Sequence, residues 1–221
     1  MQFRHALNEC CDYPKEKRRK NMPVNIVSLT ASEIEAVLPA LAELRVRVFR
    51  DWPYLYKGSL AYEQEYLARY ATSPGAVVVA AFDAEDLVGA ATGQPLAEEV
   101  EDFRAPFSAV GLDPDRYFYF AESVLDSAFR GRGAGHAFFD RREAHARALG
   151  FDRAAFCAVI RNDDDPRKPA DYRPLDPFWK KRGYRPVSGL TVGFDWPDIG
   201  ETQHSRKQLQ VWAREGLGKQ T

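Results

Sequence analysis

From residue 22 onward, the apolar positions switch between the two-residue repeat of strands and the three-to-four-residue repeat of helices. Residues 24–29 read as a first strand and 30–49 as a helix, with Ser32 placed to cap it and Pro39 placed to kink or divide it. Residues 52–58 form a loop dense in aromatics and held open by Pro53 and Gly58. A second helix over 59–70 ends at the break Thr72-Ser73-Pro74-Gly75. The run AVVVAAF at 76–82 is a buried strand, and LVGAATGQ at 87–94 returns beside it across a turn at 83–86. Residues 95–115 are acidic and irregular.

A strand over 117–125 leads through a glycine-rich loop into a helix over 135–149. Its apolar stripe takes in Ala134, Ala137, Phe138, Ala144, Ala148 and Leu149, interrupted by Arg141 and His145. A buried strand over 153–160, a polar insertion, a short helix over 176–182 and a strand or strand pair over 184–196 follow. Spacing around Leu209, Trp212 and Ala213 predicts a last amphipathic helix over 205–215, which can pack on its own domain or across a homodimer.

The loop Arg130-Gly131-Arg132-Gly133-Ala134-Gly135 is the first place where this pattern acquires chemistry. A helix start offers free backbone N–H groups and a partial positive charge, which suit a phosphate. A dinucleotide fingerprint needs G-x-G-x-x-G, but the third required position is His136. A nucleotide-triphosphate loop needs Gly-Lys-Ser/Thr, which the chain does not contain. The pattern R/Q-x-x-G-x-G/A is met by Arg130, Gly133 and Gly135, with a plain tight connection as the other reading of the same residues.

That pattern resembles the acetyl-CoA-binding signature of the GNAT superfamily of N-acetyltransferases. Phe178-Trp179-Lys180-Lys181-Arg182-Gly183-Tyr184 resembles the family's later Phe-Tyr-x-Lys-x-Gly-Phe segment, and Asn162 stands where the family has an asparagine after its fifth strand. The order of predicted elements is also similar, so the resemblance covers roughly residues 24–195. It implies an α/β sandwich with a mixed, centrally splayed β-sheet flanked by helices, and acetyl-CoA as cofactor. The amides from Arg130 through Gly131, Arg132, Gly133 and Ala134 to Gly135 would converge on the diphosphate, glycine allowing close approach and positive φ. By the same resemblance, the backbone of Val124 and Leu125 would pair with the pantetheine arm, the Leu125 N–H would stabilise the oxyanion, and Asn162 and Trp179 would lie at the cofactor. Core packing is the other role open to Val124 and Leu125.

Transfer to an amine also needs a base, because an alkylamine of pKa about 10.4 is uncharged in only about one molecule in 10³–10⁴ at neutral pH. Glu122 is the candidate: strand alternation places it with Phe118, Phe120 and Val124, an apolar setting, just upstream of the oxyanion donor. The competing role is a buried acid paired with Arg47 or Arg50. Where many relatives carry a tyrosine as general acid this chain has Trp179, whose indole cannot supply a proton, so Tyr172 or Tyr184 would substitute, or the thiolate would leave unprotonated. Trp52, Tyr54 and Tyr56 are the candidate acceptor-binding aromatics, or else a core lid, and the acidic run 163–165 is either an acceptor contact or a solvated turn.

Composition narrows the remaining classes. The 221 residues are 45% hydrophobic and 29% charged with net charge -1, an ordinary soluble composition with no basic field for nucleic acid or anionic membrane. Cys10, Cys11 and Cys157 form neither a disulfide framework nor a zinc pattern, the histidines are too dispersed for a metal site, and a cytoplasmic setting is expected. Residues 1–21 read as a solvated N-terminal extension or basic interaction arm, 22–200 as the catalytic domain, and 201–221 as a helical tail. The expected function is acetyl-CoA-dependent N-acetylation of a small amine or amino-acid-like acceptor. A non-catalytic acyl-CoA sensor or scaffold, and a protein or peptide N-acetyltransferase, are the alternatives.

Overall fold

The computed structural model describes residues 24–218, so the expected extension over 1–21 lies outside the described residues. Strand β1 (Asn25–Leu29) leads to helices α1 (Ser32–Val48) and α2 (Leu60–Thr72), then to the hairpin β2 (Val77–Asp83) and β3 (Asp86–Pro95). Helix α3 (Glu101–Ala109) precedes two short strands, β4 (Tyr117–Tyr119) and β5 (Ser123–Leu125). Helix α4 (Ala134–Ala148), β6 (Arg153–Val159), α5 (Asp176–Lys181), β7 (Arg185–Trp196) and β8 (Ser205–Glu215) complete the chain. The eight strands run in the order β1-β2-β3-β4-β6-β8-β7, with β5 also paired to β3. All pairs are antiparallel except β4–β6, so the sheet is mixed.

Side-chain alternation along β2 explains the layers. Val77, Val79 and Ala81 point to α4, where they meet Phe138 and Ala146, whereas Val78 points to α1 and α2, where it meets Leu41 and Leu67. Burying each such side chain stabilises the fold by roughly 1.5–3 kcal/mol. Ser59 caps α2 by accepting the Tyr62 N–H, as a serine before an apolar run should. Ser32 does not cap α1; it is the first helical residue, and the Glu33 carboxylate instead takes the Thr30 N–H. Helix α1 runs through Pro39 without division.

Three expectations are corrected. Residues 205–215 are strand β8, inserted between β6 and β7, and not a helical tail. Lys207, Leu209 and Val211 are buried at every second position, and this period-two signal outweighs the helical spacing of Leu209, Trp212 and Ala213. The acidic stretch after β3 contains α3, anchored by buried Phe103 and Phe107. The buried face of α4 is Ala134, Phe138, Phe139, Arg142, Glu143 and Ala146, whereas Ala144, Ala148 and Leu149 of the expected stripe are exposed.

The expected single strand over 117–125 is broken in two, and the break positions everything that follows. Ala121 donates its N–H to Thr92 O (3.2 Å), while Thr92 donates to Glu122 O (3.1 Å). Two residues therefore oppose one, a β-bulge that shifts the side-chain alternation. Before it, Phe118 and Phe120 face α4; after it, Glu122 and Val124 face α1 and α2. Glu122 thus does not share a face with Phe118 and Phe120.

Candidate active site

The bulge is also where the sheet opens. β4 pairs with β6 up to the bond from Phe120 N–H to Ala155 O (2.8 Å). Beyond it β5 pairs only with β3, while Phe156 to Val159 of β6 pair only with β8. The two inner edges part, leaving a wedge. Asp126 N–H goes to Val88 O and Glu122 O receives Thr92 N–H, so by antiparallel alternation Val124 bonds Ala90 of β3, and Ser123 and Leu125 turn their N–H groups into the wedge. Of the two residues expected to offer backbone there, Leu125 does so and Val124 does not; Ser123 takes its place.

Below the wedge lies the glycine loop. Gly131 and Gly133 have φ of 77° and 86°, and a Cβ built on either meets nothing within 4 Å. Glycine is required by the left-handed backbone, and the outer face of the loop is open for a ligand. Ala137 is the first residue of α4 to reach back along the helix, to Gly133 O, so the N–H groups of the preceding first turn have no intrahelical acceptor. Arg130 Nε bonds Leu125 O and Arg132 Nη2 bonds Ala128 O, ties that fold both side chains back beside the loop. Open amides, positive φ and an adjoining strand edge fit a diphosphate with an extended arm. Replacing Gly133 by valine should lower coenzyme A affinity by about 5- to 150-fold by calorimetry, since holding a β-branched residue at this φ costs about 1–3 kcal/mol that the free loop can relieve.

On the other side of the bulge is a cavity of about 250 Å³, lined by Glu122 together with Arg45, Glu63, Tyr54, Tyr56 and other side chains of α2, β7 and β8. Glu122 is 6% exposed. Its partner is Arg45 of α1, with Nη1 at 2.6 Å from Oε2, and not Arg47 or Arg50. Arg45 Nε also bonds Glu63 of α2. Burial opposes the charge on Arg45, but Glu122, Tyr66 and Glu63 outweigh it and hold its pKa above the usual arginine range. Oε1 of Glu122 and Oε1 of Glu63 are both buried without a hydrogen-bond partner. Cys157 also lines the cavity, and burial pushes its thiol up to about 12, which removes it as a nucleophile at neutral pH. Burial likewise raises Tyr54 to about 12, against the Arg45 charge, so it remains a neutral phenol.

A fully buried arginine fixes the bulge from behind. Arg142 of α4, 1% exposed, donates from Nη1 to both Thr92 O and Glu122 O (3.1 Å each) and from Nη2 to Ser123 Oγ (2.9 Å). Its guanidinium lies 4.3 Å from the Phe120 ring centroid. Burial pushes it down to about 10, and it is still charged at neutral pH. The helix that begins with the glycine loop is thereby tied to the two residues that place Glu122.

The aromatic loop is held by a second network. Arg161 donates to Pro53 O (2.7 Å), to Tyr54 O (2.5 Å) and to both oxygens of Asp198 (2.7 and 2.9 Å). Arg167 and Lys207 also reach Asp198. Tyr54 and Tyr56 therefore face the cavity, but Trp52 does not line it; its ring meets Tyr172 edge-on at 6.1 Å. Burial would raise the Asp198 carboxyl, but hydrogen bonds and charge from Arg161 and Lys207 prevail and hold it below the ordinary carboxylate value. A depressed folded pKa stabilises above the unfolded value of about 3.9 and is lost as pH falls through the folded one. Asp198→Asn should therefore cost about 1–2 kcal/mol at pH 7, with a flatter loss of melting temperature below about pH 4 than the wild type.

Other expected site residues fall elsewhere. Tyr172 does not line the cavity, and Tyr184, fully buried, donates its hydroxyl to Glu143 (3.1 Å), so it is no general acid for this site. Trp179 packs against Phe156 and Trp212 at 5.0 and 5.1 Å. Asn162 is exposed, with Oδ1 accepting the Asp164 N–H. In the acidic run Asp163 pairs with Lys168 at 2.7 Å and Asp165 with Arg167 at 2.6 Å, and none of its three residues lines the cavity. Among the described residues no group of three His, Cys, Asp or Glu could hold a metal, and no helix is long and apolar enough to cross a membrane.

Comparison with known proteins gives the same architecture. The family model described as "Acetyltransferase (GNAT) family" matches residues 39–168, more than half of the chain. No curated protein matches. The fold is similar to that of an aminoglycoside 6'-N-acetyltransferase complexed with coenzyme A, at 16% identity and TM-score 0.53, covering 89% of this chain and 99% of that one. It is similar too to a ribosomal-protein-alanine N-acetyltransferase from Brucella melitensis, at 16% identity and TM-score 0.55 over 86% and 99% of the two chains. A PaiA N-acetyltransferase from Thermoplasma acidophilum in complex with coenzyme A gives 12% identity and TM-score 0.51 over 88% and 99%. The open loop, the wedge and the match spanning both place the chain in the acetyltransferase (GNAT) family of acetyl-CoA-dependent acyltransferases.

Proposed function

We propose that the protein transfers an acetyl group from acetyl-CoA directly to the primary amine of a small molecule, with Glu122 as general base. The observation that carries this reading is the position of Glu122: at the bulge where the sheet opens, lining the cavity, with one carboxylate oxygen on Arg45 and the other buried and unpartnered. That free oxygen can take a proton from a bound ammonium, a step worth roughly 10²–10⁴-fold. The cofactor supplies an activated thioester. The first-turn amides from Gly131 to Gly135 bind its diphosphate, and the Leu125 N–H in the wedge donates to the acyl oxygen as negative charge develops there.

Direct transfer is favoured over an enzyme-bound acyl group because Cys157, the cysteine in the cavity, is held as a thiol. With Trp179 partly buried against Phe156 and Trp212, the thiolate leaves without a tyrosine acid there, which its pKa of about 8.5 allows. The packed Trp179 is also the observation that favours the second reading, a non-catalytic acyl-CoA sensor. Release of free thiol from acetyl-CoA across a panel of amines separates the two. Amine-dependent release supports acetyl transfer; coenzyme A binding with no release on any amine supports the sensor.

A further inference from the structure

The buried polar groups of the cavity are not all hydrogen-bonded. One cation, Arg45, meets two carboxylates, and the three side chains are 8%, 0% and 4% exposed for Arg45, Glu63 and Glu122. Arg142 behind Glu122 and Lys57 at the rim supply further positive charge, but buried polar atoms left without a hydrogen bond in a place that water barely reaches are costly. Glu63 Oε1 and Glu122 Oε1 are two such acceptors, with the Tyr56 hydroxyl beside Glu63. The site thus offers buried acceptors to a bound hydrogen-bond donor.

The walls are of a different character. Tyr66, Phe103, Tyr119, Phe194 and Trp196 come from α2, α3, β4 and β7 and enclose the space with ring faces and edges. Phe103 lies 5.4 Å from Tyr119 and 5.6 Å from Phe194, a continuous aromatic surface. The volume of about 250 Å³ is below the range of about 300–1,000 Å³ that holds drug-sized ligands. At the rim are Lys57, His204 and Asp195, and Asp195 is already paired with Arg206 at 3.2 Å. A second ammonium would find no free carboxylate among the described lining residues. A carboxylate next to the amine would be driven against Glu63 and Glu122.

We infer that the acceptor is a monocationic primary alkylamine carrying one flat apolar group, an arylalkylamine, with its nitrogen between Glu63 and Glu122 and its ring against Phe103, Tyr119 and Phe194. The inference rests on the acetyl-transfer reading and deepens it. In the step, Glu122 takes one proton from the ammonium, the freed lone pair forms the C–N bond, and the C–S bond breaks. Its electrons go to the thiolate, and the second nitrogen proton leaves as the amide forms and passes to that thiolate. Ammonium and thioester become amide, thiol and one proton, the last shed by Glu122 to solvent.

The test is steady-state thiol release by the full chain at saturating acetyl-CoA with 2-phenylethylamine, spermidine, phenylalanine, kanamycin and a lysine-containing tripeptide. The kcat/KM for phenylethylamine should exceed each of the others at least about 100-fold. Phe194→Ala, at a partly exposed position, should raise KM for phenylethylamine about tenfold with little change in kcat. Turnover of spermidine, kanamycin or the peptide within tenfold of phenylethylamine overturns the inference and leaves acetyl transfer standing. If no amine is turned over, acetyl transfer fails, and binding decides the inference separately. Quenching of intrinsic tryptophan fluorescence by phenylethylamine but not spermidine then supports it, and no response to phenylethylamine overturns it.

Discussion

Glu122→Gln is expected to lower kcat/KM by about 10²–10⁴-fold while coenzyme A affinity stays unchanged. The amide keeps the shape of the carboxyl and its place beside Arg45, which retains Glu63 as a partner. What it cannot do is accept the proton of the incoming ammonium. The residual rate should then follow the free amine already in solution, rising about tenfold per pH unit toward the amine pKa of about 10.4. A variant that melts like the wild type, binds coenzyme A and shows no loss of rate would assign Glu122 to structure alone. The alkaline recovery matters because a merely misfolded site would not show it.

Arg142→Met should act on stability and on rate together. Three of the arginine's bonds go to Thr92 O, Glu122 O and Ser123 Oγ, and bonds from a charged donor are each worth about 1.5–3 kcal/mol, offset by the burial of the guanidinium. A net loss on the order of 3 kcal/mol is expected, which for a chain of this length lowers the melting temperature by about 6–12 °C. Methionine fills the volume between Phe120 and Phe139, so the helix still packs. The bulge, however, loses the clamp that holds Glu122 and the Ser123–Leu125 edge in register. At a temperature where the variant is folded, kcat should fall more than the apparent affinity for coenzyme A, because the glycine loop lies more than a helical turn away. Equal losses in both would mean that Arg142 serves packing only.

The parts of the site legible in the sequence are those set by local backbone chemistry. The glycine loop could be read because positive φ at Gly131 and Gly133 and open amides at a helix start are properties of a few consecutive residues. The hairpin and most strands followed from runs such as AVVVAAF. What stayed hidden depends on pairing over distance. No period in the sequence marks the bulge at Ala121 and Glu122, since it exists only against Thr92. The buried face of α4 is not legible in the sequence because it contains Arg142 and Glu143, charged residues that a polarity pattern assigns to solvent. Arg45 belongs to the same class: it sits on the inner face of α1, and only the approach of α2 and β5 makes it the partner of Glu63 and Glu122. Strand β8 has helical spacing at Leu209, Trp212 and Ala213, and its strand alternation is masked because it includes Lys207, a lysine buried by its bond to Trp196 O and its pairing with Asp198.

Where the diphosphate sits decides whether the thioester can reach Glu122. A crystal structure of the protein with coenzyme A should show its diphosphate oxygens about 2.7–3.2 Å from amide nitrogens between residues 131 and 136, and its sulfur in the wedge beside Leu125, facing Glu122. A diphosphate bound anywhere else on the molecule, or a sulfur directed away from the cavity that Glu122 lines, would contradict it.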